Sequence, residues 1–140
     1  MIIVSACLTG INCRYDGKNN LNEKIIKLVQ NGDAIPICPE QLGGLTTPRT
    51  PAEISGNKVI TRSGNDVTIQ FQKGAIETLK IAKLLNCKTA IFKENSPSCG
   101  SKNIYDGTFS DNLIKGEGIT TKLLKQNGIV VYSEKIKKAT

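Results

Sequence analysis

Met1-Ile2-Ile3-Val4-Ser5-Ala6-Cys7-Leu8 opens the chain with an unbroken aliphatic run over Ile2–Ala6. It lacks the polar alternation of a half-exposed strand, so it reads as a strand buried on both faces. Three later runs share that character: Ala34–Ile37, Thr89–Phe92 and Ile129–Tyr132. Between the first two, Leu21, Ile25, Ile26, Leu28 and Val29 fall on one face of a helix over Leu21–Gln30, stopped by Asn31-Gly32. A second helix is expected over Gly74–Leu85, where Ile76, Leu79, Ala82 and Leu84 have helical spacing, and a third over Gly118–Gln126, closed by Asn127-Gly128. Alternating strands and helices imply right-handed crossovers and an open, mainly parallel, Rossmann-like sheet flanked by helices. Val59–Thr61 and Val67–Phe71, split by Ser63-Gly64-Asn65-Asp66, depart from the pattern and read as an inserted β-hairpin. No repeat or linker interrupts the chain, so residues 1–140 are expected to form one α/β domain.

Composition narrows the chemistry. The 140 residues contain no histidine, which excludes Ser-His-Asp and Cys-His catalysis, His-ligated zinc and haem. Any general acid or base must be a carboxylate, Lys, Tyr or Cys. There is no tryptophan, and three Tyr with three Phe are too few for a base-stacking platform. A formal charge of +7 fits a solvated surface as readily as attraction to an anionic nucleotide or RNA. Its basic residues are scattered apart from Lys135-Ile136-Lys137-Lys138, so no nucleic-acid groove is outlined. No stretch reaches the roughly 20 apolar residues of a membrane span, and the first strand lacks a basic leader. The expected location is the cytoplasm.

Five cysteines (Cys7, Cys13, Cys38, Cys87 and Cys99) are odd in number and too widely spaced for a disulfide framework or a zinc ribbon. Ligands of an open α/β sheet bind beyond the carboxyl ends of its strands. Cys7 ends the first strand, Cys38 ends the second, and Cys99 hangs from the loop after the third. A single buried free cysteine is commonly a packing residue. Three at separate strand ends instead point to a shared metal centre, and three thiolates leave one coordination position open for chemistry on a substrate. Cys13, in Asn12-Cys13-Arg14-Tyr15-Asp16-Gly17, can replace Cys7 in that set, whereas Cys87 lies before its strand and reads as packing. Glu40 follows Cys38 by two residues and is the candidate acid–base group. Arg14 and Arg49 are candidate partners of a phosphate or carboxylate.

Ser5-Ala6-Cys7-Leu8, Cys13-Arg14-Tyr15-Asp16-Gly17, Cys38-Pro39-Glu40, Gly43-Gly44-Leu45 and Pro48-Arg49 occur here in one order, followed by Ser96-Pro97-Ser98-Cys99-Gly100 and Ile104-Tyr105-Asp106-Gly107-Thr108-Phe109. This series resembles the bacterial thiouracil desulfidase family over nearly the whole chain. The resemblance implies a non-redox [4Fe-4S] enzyme that converts a thiolated uracil base or nucleotide to its uracil form and releases sulfide. It implies Cys7, Cys38 and Cys99 as cluster ligands, Glu40 as acid–base residue, and Ser96 as assisting serine with Ser98 as runner-up. The partner is then a small thiolated pyrimidine or its nucleotide, with tRNA less favoured. Two other classes compete: a cluster- or zinc-binding redox sensor without turnover, and a small RNA-binding domain.

Overall fold

The computed structural model describes residues 1–135; positions 136–138 of the basic tail lie outside the described residues. Strand β1 (Ile2–Ser5) runs into a 3-10 turn (Ala6–Thr9), and helix α1 (Glu23–Gln30) returns the chain to β2 (Ala34–Ile37). Asn22 starts α1 by accepting the N–H groups of Lys24 and Ile25 on its side chain. After β2 come α2 (Pro39–Leu42), a hairpin of β3 (Ala52–Ser55) and β4 (Lys58–Thr61), and the long α3 (Thr68–Leu84). The chain continues through β5 (Thr89–Phe92), a hairpin of β6 (Asn103–Tyr105) and β7 (Leu113–Lys115), α4 (Ile119–Gln126) and β8 (Val130–Ser133).

The central sheet has the order β2-β1-β5-β8, and every pair in it is parallel. Pro36 cannot donate to a ladder, and β2 is accordingly an edge strand. Alternate residues of each strand divide between two cores. Val4 and Ile91 meet Ile25, Leu28 and Val29 of α1 on one face. Ile3, Ala90, Phe92 and Val131 meet Ala82 of α3 and Leu124 of α4 on the other. No helix among the described residues is long and apolar enough to cross a membrane. The open parallel sheet with flanking helices and an inserted hairpin is thus the architecture that the strand–helix pattern implied.

The inserted hairpin is built from different residues than expected. It pairs Ala52–Ser55 with Lys58–Thr61, and residues 68–71 form the first turn of α3. The Asp66 carboxylate accepts the N–H and the hydroxyl of Thr68, which opens the helix there. Val67, Phe71 and Ala75 are buried at four-residue spacing, a helical stripe rather than a strand alternation. The short β6–β7 hairpin and the single turn of α2 carry too few apolar residues to register as elements in sequence.

Helix α2 matters because it follows Cys38 and carries Glu40. It lies directly on α3 through two glycines. A Cβ on Gly43 would stand 2.0 Å from the Gln70 carbonyl oxygen, and one on Gly74 would stand 1.9 Å from that of Pro39. Gly74→Ala gains about 1 kcal/mol of helix propensity but forces two backbones apart. The expected net loss is about 2 kcal/mol, read as a lower urea midpoint. An unchanged midpoint would mean that this contact does not set the seat of α2.

Candidate active site at the carboxyl edge of the sheet

Beyond the carboxyl ends of β1, β2 and β5 lies a cavity of about 300 Å³. The connections from β1 and β5 diverge there, so the loops splay and leave room for a ligand. Cys7, Cys13, Cys38 and Cys99 all line it, as do Glu40, Ser96, Arg14 and Arg49. Cys87 is buried in the core shared with Ala82 and Leu124 and does not line the cavity.

Each thiol has a distinct setting. Cys7 sits in the 3-10 turn and accepts a 3.4 Å hydrogen bond from the Asn20 amide. Cys38 immediately precedes α2, at its N-cap position, with no side-chain capping bond. Cys13 is 3% exposed, and the Cys38 thiol lies 3.9 Å from its carbonyl oxygen. The pKa of Cys13 is raised, chiefly by interaction with Cys38 and then with Cys7. The same interaction with Cys13 lowers Cys7, and it brings Cys38 down to about 7. Across the cavity, burial pushes Cys99 up to about 12 despite hydrogen bonds from Ser5 and Ser98. Among the described residues, no three His, Cys, Asp or Glu side chains close on a point as a single metal ion would need. The cavity nonetheless gathers four soft thiol donors, the ligand type that iron–sulfur clusters take.

Glu40 is held at both oxygens. The Nε of Arg49 donates to Oε1 at 3.0 Å, and the Ser98 hydroxyl donates to Oε2 at 2.9 Å. Ser98, not Ser96, makes the contact. The Ser96 hydroxyl lies 3.0 Å from that of Ser98 and accepts the N–H groups of Ser98 and Cys99. Arg49 also donates to the carbonyls of Thr46 and Cys13 and to the Thr47 hydroxyl, so four of its five N–H donors are engaged within the protein. These bonds tie Arg49 to Glu40 and to the Cys13 loop. Arg14 is likewise engaged, with Asp16 at 2.9 Å and Asn20 at 2.8 Å.

The loop carrying Ser98 and Cys99 is fastened from two sides. The Glu94 carboxylate, 4% exposed, accepts the N–H groups of Asn95, Ser101, Lys102 and Asn103 and the Ser101 hydroxyl. The start of α4 grips the same loop, because Ile119, Thr120 and Thr121 donate their N–H groups to the carbonyls of Pro97 and Ser98. Gly118 permits that approach, since a Cβ there would lie 2.4 Å from the Ser98 carbonyl carbon. Sequence reasoning passed over Glu94 because a glutamate after a strand has no local signature. Glu53, Arg62 and Phe109, which also line the cavity, come from the two hairpins and were missed with them.

Comparison with known proteins agrees with this geometry. Residues 2–135 match the model of a family described as 2-thiouracil desulfurase. The uncharacterized protein YbbK of Bacillus subtilis (strain 168) is 52% identical over 144 residues, spanning 96% of this chain and 95% of its own. A solved structure of the [4Fe-4S]-dependent thiouracil desulfidase TudS is similar at a TM-score of 0.91 and 47% identity, over 95% of this chain and 89% of that one.

Burial opposes the charge of Glu94, but the N–H groups of Lys102, Asn103, Ser101 and Asn95 outweigh it and hold the carboxyl below the usual glutamate range. A lowered folded-state pKa contributes stability that is present above the unfolded value and lost as pH falls through the folded one. Wild-type stability should therefore drop more between pH 5 and 3 than that of Glu94→Gln, with the variant about 1–3 kcal/mol less stable at pH 7. Urea midpoints against pH test this; parallel curves would refute it.

Proposed function

The chain belongs to the 2-thiouracil desulfurase family, and we propose that it hydrolyses the thiocarbonyl of a uracil base or nucleotide, giving the carbonyl form and sulfide. In this reading Cys7, Cys38 and Cys99 hold a [4Fe-4S] cluster. Their softness as donors and their origin at three strand ends support that ligand set. Cys13 is then a further thiol in the same cavity wall. When bound, the cluster supplies a soft, open iron that attracts the thiocarbonyl sulfur and leaves the ring carbon electron-poor.

The protein's own groups supply the proton chemistry. The observation that carries the proposal is Glu40, fixed between Arg49 and Ser98 in the same cavity as the thiols. Each carboxylate oxygen keeps a lone pair free of these two bonds. Glu40 takes a proton from water as the water oxygen attacks the ring carbon, then returns it as the carbon–sulfur bond breaks. Ser98 orients the carboxylate and relays the proton. Ser96, in the same cavity wall with its hydroxyl 3.0 Å from that of Ser98, shares that assisting role. Arg49 keeps the carboxylate aimed at the cavity.

The test is anaerobic cluster reconstitution followed by incubation with 4-thiouracil and 4-thio-UMP. The thiocarbonyl absorbance should decay; an unchanged spectrum over an intact cluster would leave a cluster-binding module without turnover. Glu40→Gln should retain iron and lower kcat by roughly 100-fold or more, and near-normal turnover would remove Glu40 from the reaction. Alanine at Cys7, Cys38 or Cys99 should reduce bound iron, measured by metal analysis, whereas Cys87→Ala should leave it unchanged. Full iron content in any of the first three would reject that ligand.

A further inference from the structure

Glu53 on β3 is a second carboxylate in the cavity wall that the chemistry above does not use. It is 9% exposed, so its charge is largely withdrawn from solvent. One oxygen, Oε1, accepts the N–H groups of Gly107 at 3.0 Å and Phe109 at 3.1 Å. The other, Oε2, has no hydrogen-bond partner among the described residues, and it is not sealed off, since the Thr120 hydroxyl is the buried side-chain atom left without one there. A carboxylate so placed calls for a donor from whatever enters the cavity.

The neighbouring groups make a flat recess around it. Phe109 holds a left-handed backbone, φ 57°, unusual for a bulky residue, and its N–H is pinned there by Glu53. That conformation presents its half-buried ring to the cavity, with the Arg62 guanidinium 5.5 Å from the ring centroid. An apolar face beside an unpaired acceptor is complementary to a planar heterocycle that carries an N–H on its edge.

We propose that Glu53 selects the uracil-type ring, Oε2 accepting the N3–H while the ring lies against Phe109. The inference rests on the desulfidase reading for the identity of the ring. N3–H adjoins the thiocarbonyl carbon whether sulfur is at position 2 or 4, so this one contact orients either isomer. A cytosine-type ring presents a lone pair at N3, and the carboxylate repels it. Glu53 is thus a specificity-determining residue, and the proton chemistry stays with Glu40.

The substitution Glu53→Gln separates this role from a merely structural one. The Gly107 and Phe109 N–H groups require an acceptor at Oε1, so they fix the amide oxygen there and put the amide NH2 where Oε2 was. The loop anchor survives, and the group facing the ring becomes a donor. Calorimetric titration of the cluster-reconstituted protein with UMP and CMP reads the outcome. Wild type should bind UMP at least tenfold more tightly than CMP, and Glu53→Gln should erase or invert that preference. Equal wild-type affinities, no binding of either nucleotide at millimolar concentration, or a variant that keeps the UMP preference would each overturn the proposal. Turnover of 4-thio-UMP is scored separately: Glu53-dependent discrimination without desulfuration would sink the desulfidase reading alone, and desulfuration without discrimination would sink this one alone.

Discussion

Four backbone N–H groups and one hydroxyl converge on the Glu94 carboxylate, and the arrangement of the site follows from that convergence. A loop of irregular backbone cannot be buried with its donors unmatched, since each orphan costs about 1–3 kcal/mol. Glu94 is the residue after β5 but one, so it transfers the rigidity of the sheet to residues 95–103. The start of α4 holds the same segment from the other side. Ser98 and Cys99 therefore sit on a loop that is as constrained as a secondary-structure element. Their hydrogen bonds to Glu40 and Ser5 are made without ordering a mobile segment first.

The cavity joins three sources of position. The 3-10 turn after β1 brings Cys7, the turn of α2 brings Cys38 and Glu40, and the Glu94-anchored loop brings Cys99 and Ser98. Arg49 binds α2 to the loop that follows the 3-10 turn, because one guanidinium reaches both the Glu40 carboxylate and the Cys13 carbonyl. The thiols differ in proton affinity according to their surroundings. Two are eased toward thiolate by the Cys13 thiol, while Cys99, deep in the wall, is raised by burial. In a protein without histidine, the proposed proton transfer falls to a carboxylate held at both oxygens and a serine.

The chain belongs to a desulfurase family and is similar, at a TM-score of 0.91, to a [4Fe-4S]-dependent thiouracil desulfidase. The two hairpins add to the wall of its cavity. They close the open side of the cavity with Glu53, Arg62 and Phe109, which belong to neither the central sheet nor its helices. In the proposed reading, the sheet edge carries the groups for the reaction and the hairpins carry those that meet the far side of the substrate.

The aliphatic runs of β1, β2, β5 and β8 determined the parallel sheet, because strands buried on both faces lack alternation and the helical segments between them dictate crossovers. Placing Cys7, Cys38 and Cys99 at strand ends was legible for the same reason. The hairpin register was not: Val67–Phe71 is apolar at both strand and helix spacing, and only the Asp66–Thr68 cap and the burial of Phe71 against β4 decide for helix. Sequence proximity also could not choose between Ser96 and Ser98, which differ in what they face after the loop folds. Contacts such as Glu94 with Ser101 or Glu53 with Phe109 join backbone groups to distant carboxylates. A backbone N–H is the same at every residue but proline, so the sequence cannot mark which ones a carboxylate will collect; tertiary packing alone does that.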